Sequence, residues 1–217
     1  SHSYDPHLPL WLTWDFNVLP YVTCCIWQFD GKKGRQIDEI CLSSPKNRTV
    51  DVCNEFIKRY PNHMSGVFIT GDPAGKHEDT RGEAGHNDYS IIMKALAKYK
   101  PQQRVPSSAP SVVMRANFIN TIFEKGFDGI DLSIDKGCIN TLNDYTYLKE
   151  AADGTKLKTK VTDPDTKQSY EQYGHPSDAN DYVICQVFSK EFIAFKSNTD
   201  SPKKPIVRKG PASKNSY

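Results

Sequence analysis

The chain has 217 residues, 37% of them hydrophobic and 11% aromatic. That is enough apolar material for one packed domain and too much for a disordered chain. The formal net charge is +2, so bulk charge points to neither nucleic acid nor an anionic membrane, and any contact with DNA must come from local patches.

Residues 10–16, Leu-Trp-Leu-Thr-Trp-Asp-Phe, read as a strand that runs into a polar turn at 17–20. Residues 21–29 are rich in Val, Thr, Cys, Ile and aromatics and form a second strand. A Gly- and Lys-containing turn leads to a third over 35–42. Apolar positions Val50, Cys53, Phe56, Ile57 and Tyr60 predict a helix over 49–60, with Thr49 as cap and Pro61 as stop. The short apolar run 65–70 suits a buried parallel strand, closed by Gly71-Asp72-Pro73-Ala74-Gly75. A polar loop covers 76–86, and a helix spans 88–99. A Pro/Ser-rich link at 101–110 precedes a helix over 111–125, stopped by Gly126. A strand at 129–134 and a helix at 138–150 come next. A hairpin of 156–162 with 167–172 and a last helix over 176–194 complete the order. We place the domain at residues 4–196 and a flexible tail at 197–217, where Ser, Pro and Lys dominate.

No apolar run approaches the roughly 20 residues that span a bilayer. The six cysteines, Cys24, Cys25, Cys41, Cys53, Cys138 and Cys185, form no CxxC pair. That spacing argues against zinc and for free thiols in a reducing compartment. Ser1-His2-Ser3 reads as the remnant of a tag.

Three acids stand where chemistry would need them. Asp15 ends the first strand, Asp72 follows a buried strand, and Asp178 opens the last helix. A carboxylate amid Leu, Trp and Phe is costly unless it is paired or on a metal. Taken singly, each acid also fits a turn or a helix cap. Together they offer hard oxygen ligands to divalent cations that clamp the attacking and leaving oxygens of a phosphodiester. His175, three residues before Asp178, could ligate or relay a proton. Asp181, one turn beyond, is a further ligand or an exposed acid. Lys76 and Arg81, in the loop beside Asp72, are candidate contacts to a DNA backbone. So is the hairpin bearing Lys156, Lys158, Lys160 and Lys167, and each of these basic groups has a bland alternative as a solvated surface charge.

A three-strand meander followed by alternating helices and strands is the order of the ribonuclease-H-like α/β fold, a mixed central sheet flanked by helices. Within it the sequence resembles the C-terminal nuclease domain of phage large terminases. The matching pieces are Trp14-Asp15-Phe16-Asn17, Gly71-Asp72-Pro73-Ala74-Gly75 and His175-Pro176-Ser177-Asp178-Ala179 with Asp181-Tyr182, across roughly residues 8–195. The resemblance implies that Asp15, Asp72 and Asp178 hold Mg²⁺ or Mn²⁺, two ions in all, and that double-stranded DNA is the substrate. His175 matches a histidine found in some members only. It also implies a host-cytoplasmic setting and, through the full-length protein, contact with the portal protein and the small terminase subunit. An N-terminal ATPase domain is implied too, but this chain has no Gly-x-x-x-x-Gly-Lys-Ser/Thr phosphate loop. Two other readings use the same residues: a resolvase or transposase of the same fold, and a non-catalytic module that docks on DNA or portal.

Overall fold

The computed structural model describes residues 4–77, 87–125, 127, 129–164 and 166–200, with side chains through residue 197. Three antiparallel strands open it: β1 (Leu10–Asp15), β2 (Val22–Asp30) and β3 (Lys33–Leu42). Helix α1 (Thr49–Arg59) crosses to β4 (Val67–Gly71), which pairs parallel to β1. Helix α2 (Asp88–Ala95) leads through one 3-10 turn at Ala97–Tyr99 to a two-residue strand, β5 (Gln102–Gln103), parallel to β4. Helix α3 (Val112–Phe123) leads to β6 (Asp131–Ile134), parallel to β3. The sheet order is β5-β4-β1-β2-β3-β6, so β1 lies inside it with a parallel neighbour on one side and an antiparallel one on the other.

The two-residue side-chain period of a strand divides the core into two layers. Leu10, Leu12 and Trp14 of β1 join Val22, Cys24 and Ile26 of β2 under α1 and α2. Cys25 and Trp27 face the other way, onto α3, helix α5 (His175–Val187) and helix α6 (Ser189–Asp200). Thr13 confirms the parity, since its hydroxyl donates to the Ala179 carbonyl of α5. Asp15, two residues on, therefore lies on the α5 side. A buried polar chain fixes α5 to the sheet. Trp27 Nε1 donates to Asn180 Oδ1 (2.7 Å), Asn180 Nδ2 to Gln36 Oε1 (2.9 Å), and Gln36 Nε2 to Thr141 Oγ1 (2.8 Å).

Several expected boundaries move. Thr49 does not cap α1; its hydroxyl donates to Asp88 on α2 instead (2.6 Å). The helix expected over 138–150 stops earlier, as α4 (Ile139–Tyr147). The single last helix is two, because the backbone leaves helical geometry at Phe188, a break that an apolar periodicity running straight through does not announce. The expected hairpin is also two pairings. Strand β7 (Lys149–Glu150) pairs with β8 (Lys156–Leu157), and β9 (Lys160–Thr162) pairs with β10 (Ser169–Glu171). Helix α6 carries the backbone through Asp200. Gly126, Arg81 and the residues beyond 200 lie outside the described residues. All six cysteines are free thiols. Among the described residues no helix is long and apolar enough to cross a membrane.

Asn180→Ala strands the Trp27 indole N–H and one oxygen of Gln36 in the interior. Each unsatisfied group costs about 1–3 kcal/mol. Urea unfolding should therefore show a loss of roughly 2–6 kcal/mol, and a loss below about 0.5 kcal/mol would mean that the chain of bonds does not hold α5.

Candidate active site

Two of the acids are placed by strand register. Leu10, Leu12 and Trp14 of β1 lie beside Val67, Ile69 and Gly71 of β4. One step further, Asp15 and Asp72 leave adjacent parallel strands at the same end, and strands so paired lie about 4.8 Å apart. Gly71 makes the approach possible. Its φ is +140°, and a Cβ there would run into the backbone of Trp14. The Asp72 backbone N–H donates to the Trp14 carbonyl (3.1 Å), and the Asp72 carbonyl accepts from the Tyr89 hydroxyl (2.8 Å). One carboxylate oxygen of Asp72 accepts from Ala74 N (2.8 Å), capping the 3-10 turn Pro73–Lys76.

Asp15 is 6% exposed and His175, the first residue of α5, 1% exposed. His175 Nδ1 lies 2.9 Å from Asp15 Oδ2, and Nε2 lies 3.0 Å from the Glu171 carbonyl. A carbonyl only accepts, so Nε2 carries a proton. An ionised carboxylate also only accepts, so the contact is best satisfied as imidazolium against carboxylate. Burial alone would push the imidazole down, but the hydrogen bond and charge of Asp15 outweigh it and leave His175 above its ordinary value. Asn17 completes the cradle, its backbone and amide nitrogens each donating to Asp15 at 3.3 Å.

Asp178 and Asp181 follow on the same helix, one turn apart. Asp181 is buried and Asp178 half-buried, and both are paired. Lys156 Nζ, from β8, donates to Asp178 Oδ1 (2.8 Å), Asp181 Oδ2 (2.7 Å) and Ser177 Oγ (3.2 Å). Lys158 Nζ reaches Asp178 Oδ2 (2.7 Å) and Glu171 Oε2 (2.9 Å). Gly174, with φ +115°, lets the Lys158 stem pass close over the start of α5, where a Cβ would meet it. Burial pushes both carboxyls up. At Asp178 the two lysines outweigh it and hold the group below the ordinary carboxylate range. At Asp181, which is 1% exposed, burial wins and the group is raised. Arg115 of α3 sits 3.8 Å from Asp181 with its guanidinium 4.4 Å from the Tyr182 ring centre.

The two pairs border one region. Tyr89 lies in the field of Asp72 and Asp15, and Tyr182 in the field of Asp72 and Asp178. Among the described residues, however, no three His, Cys, Asp or Glu side chains are gathered into a ready metal cage. The expected set is thus brought to one end of the sheet as two pairs, with the second pair held by lysine. Lys76 turns inward, its Nζ on the carbonyls of Val105 (3.2 Å) and Pro106 (2.9 Å).

Sequence reasoning missed the partners. Asp144 of α4 is buried, and its carboxylate accepts from the Gly174 and Ser177 backbone N–H groups (3.0 Å each), so it caps α5. Arg115 had a visible signal, for it interrupts the apolar stripe Val112, Ile119, Ile122 of α3. Lys156 and Lys158 had none, because nothing local says that a basic strand folds back onto an acidic helix turn.

The His175 contact sets a pH dependence. Its folded pKa is raised, so its stabilisation is complete below the unfolded value of about 6.5 and is lost as pH climbs through the folded value. In metal-free buffer with EDTA, an NMR titration should place the His175 midpoint above about 6.5. Asp15→Asn should bring it down, since the charge that outweighs burial is then gone. A wild-type midpoint at or below the ordinary value would contradict the ion pair.

No protein-family model matches the chain, and no curated protein does. Solved structures do. The large terminase of a thermophilic bacteriophage, in complex with ATP-gamma-S, superposes with a TM-score of 0.56 at 13% identity over 86% of this chain. This chain spans 42% of that protein. The nuclease domain of the P22 large terminase gives a TM-score of 0.50 at 11% identity, over 88% of this chain and 86% of that one. The fold, with its mixed sheet and opening antiparallel meander, is the one that these phage large terminases carry.

Proposed function

We propose that the chain is the metal-dependent endonuclease domain of a phage DNA-packaging terminase large subunit, cutting double-stranded DNA by phosphodiester hydrolysis. The observation that carries the reading is the position of Asp15 and Asp72 just at the ends of two adjacent parallel strands in register, with the start of α5, which carries Asp178, packed on Asp15 through His175. The shared fold supports it.

The donor set suits hard cations. Carboxylate oxygens are what Mg²⁺ and Mn²⁺ take, and Asp178 and Asp181 already hold positive charge in the form of Lys156. Asp15, Asp72 and Asp178 would hold two such ions, with Asp181 as a further ligand. Bound there, the metal would supply Lewis acidity to the scissile phosphate and a water nucleophile at neutral pH. His175 acts as a positioning residue. Both its ring nitrogens are engaged inside the protein, so it orients Asp15 and balances its charge rather than meeting DNA. The Trp14 and Phe16 rings, on either side of Asp15, stack with centroids 5.9 Å apart. Double-stranded DNA, the portal, the small terminase subunit, an ATPase partner domain and a host-cytoplasmic setting belong to the same proposal.

The test is plasmid nicking by the 217-residue chain with Mn²⁺, Mg²⁺ or EDTA, alongside Asp15→Asn. Supercoiled DNA should be lost only with metal, and Asp15→Asn should be slower by at least about a hundredfold, roughly 3 kcal/mol of barrier. Equal activity in Asp15→Asn would remove the site assignment. No cleavage by folded wild type in either metal would favour a docking module, and cleavage confined to four-way junctions would favour a resolvase.

A further inference from the structure

We infer that Lys156 and Lys158 are a built-in competitor for divalent cation at the α5 acids, so that a metal ion reaches Asp178 only when the segment carrying these lysines withdraws. The inference rests on the nuclease reading above and adds a control to it.

Three observations carry it. The first is occupancy. Both oxygens of Asp178 accept from ammonium groups at 2.7–2.8 Å, and Lys156 bridges Asp178 to Asp181. A cation thus already stands between the two carboxylates, where a metal ion shared by them would have to sit. Repulsion between the ammonium groups and a divalent ion at that spacing opposes simultaneous binding.

The second is asymmetry. Among the described residues Asp15 and Asp72 have no lysine partner, whereas the α5 pair has two. A first ion at the strand ends therefore has no lysine to displace, whereas a second binds only at the expense of the lysines. Asp181 is not left bare when they go, because Arg115 stays 3.8 Å away, with Nε and Nη1 free of hydrogen-bond partners among the described residues.

The third is the means of withdrawal. The lysines sit on and beside strands two and three residues long, which among the described residues pair only within their own two-stranded ladders and not with the central sheet. Ladders that short are marginal and open at low cost. A cavity of about 130 Å³ beside Lys156, lined by Asn117, Asn120, Tyr145 and Asp181, gives the side chain somewhere to go.

The experiment titrates Mn²⁺ into the full chain and counts free ion by EPR. Wild type is compared with Lys158→Gln, the double variant Lys156→Met/Lys158→Met, and the double variant carrying Asp178→Asn as well. Wild type should bind one Mn²⁺ more tightly than the next. The double variant should tighten the weaker class at least about tenfold, since an ion pair no longer has to be broken. Lys158→Gln should fall between, and Asp178→Asn should abolish the gain. Hydrogen exchange on wild type gives a second readout, in which saturating Mn²⁺ should speed amide exchange over residues 156–162. If the double variant does not melt cooperatively, Lys158→Gln and the exchange experiment decide. Unchanged affinity in the folded lysine variants, or exchange unaffected at saturation, overturns this inference and leaves the nuclease reading standing. No Mn²⁺ binding by any variant overturns both.

Discussion

A carboxylate can be buried only if something meets its charge, and that constraint organises this molecule. Asp15, Asp144, Asp178 and Asp181 all lie in or near the interior, and each is answered differently. Asp15 meets an imidazole, Asp144 the open N–H groups at the start of α5, and the last two share Lys156, with Lys158 on Asp178 as well. Remove any of these answers and the uncompensated charge costs several kcal/mol. The start of α5 is therefore fixed by Asp144, by Asp15 through His175, and by Lys156 and Lys158. Because it is so fixed, Asp178 is delivered to the end of the sheet where Asp15 and Asp72 already stand.

The sheet does the rest of the positioning. Parallel strands end at the same edge, so β1 and β4 bring two acids together by register alone. The two-residue alternation sends Leu12 and Trp14 to one core and leaves Thr13 and Asp15 for the helix on the other face. The buried bonds from Trp27 through Asn180 and Gln36 to Thr141 then lock the rotation of α5 against that face. The candidate site and the core thus use the same helix, with polar residues at its start and apolar ones, Val183 and Ile184 among them, further along.

Much of this was legible in the residues. The meander, the crossover helix and the buried strand before Asp72 follow from apolar periodicity and turn chemistry, which are local. So does the placing of Asp15, because Leu10, Leu12 and Trp14 declare which face of β1 is apolar. What stayed hidden depends on contacts distant in sequence. The lysines of 156–158 meet acids some twenty residues on, across a fold-back that no periodicity encodes. Asp144 reads as an ordinary helical acid until α5 is seen to start against it. The break at Phe188 leaves no mark because an apolar side chain serves the core equally well in either helix.

The central claim is that the carboxylates at the ends of β1 and β4 form a divalent-cation site. Anomalous diffraction from crystals soaked in Mn²⁺ tests it most directly, because it locates the ion without depending on activity. The account requires an anomalous peak between Asp15 and Asp72, on the α5 side of the sheet, that disappears in Asp15→Asn. A peak only elsewhere, or none at millimolar Mn²⁺ in crystals whose sheet edge is open to solvent, would contradict it.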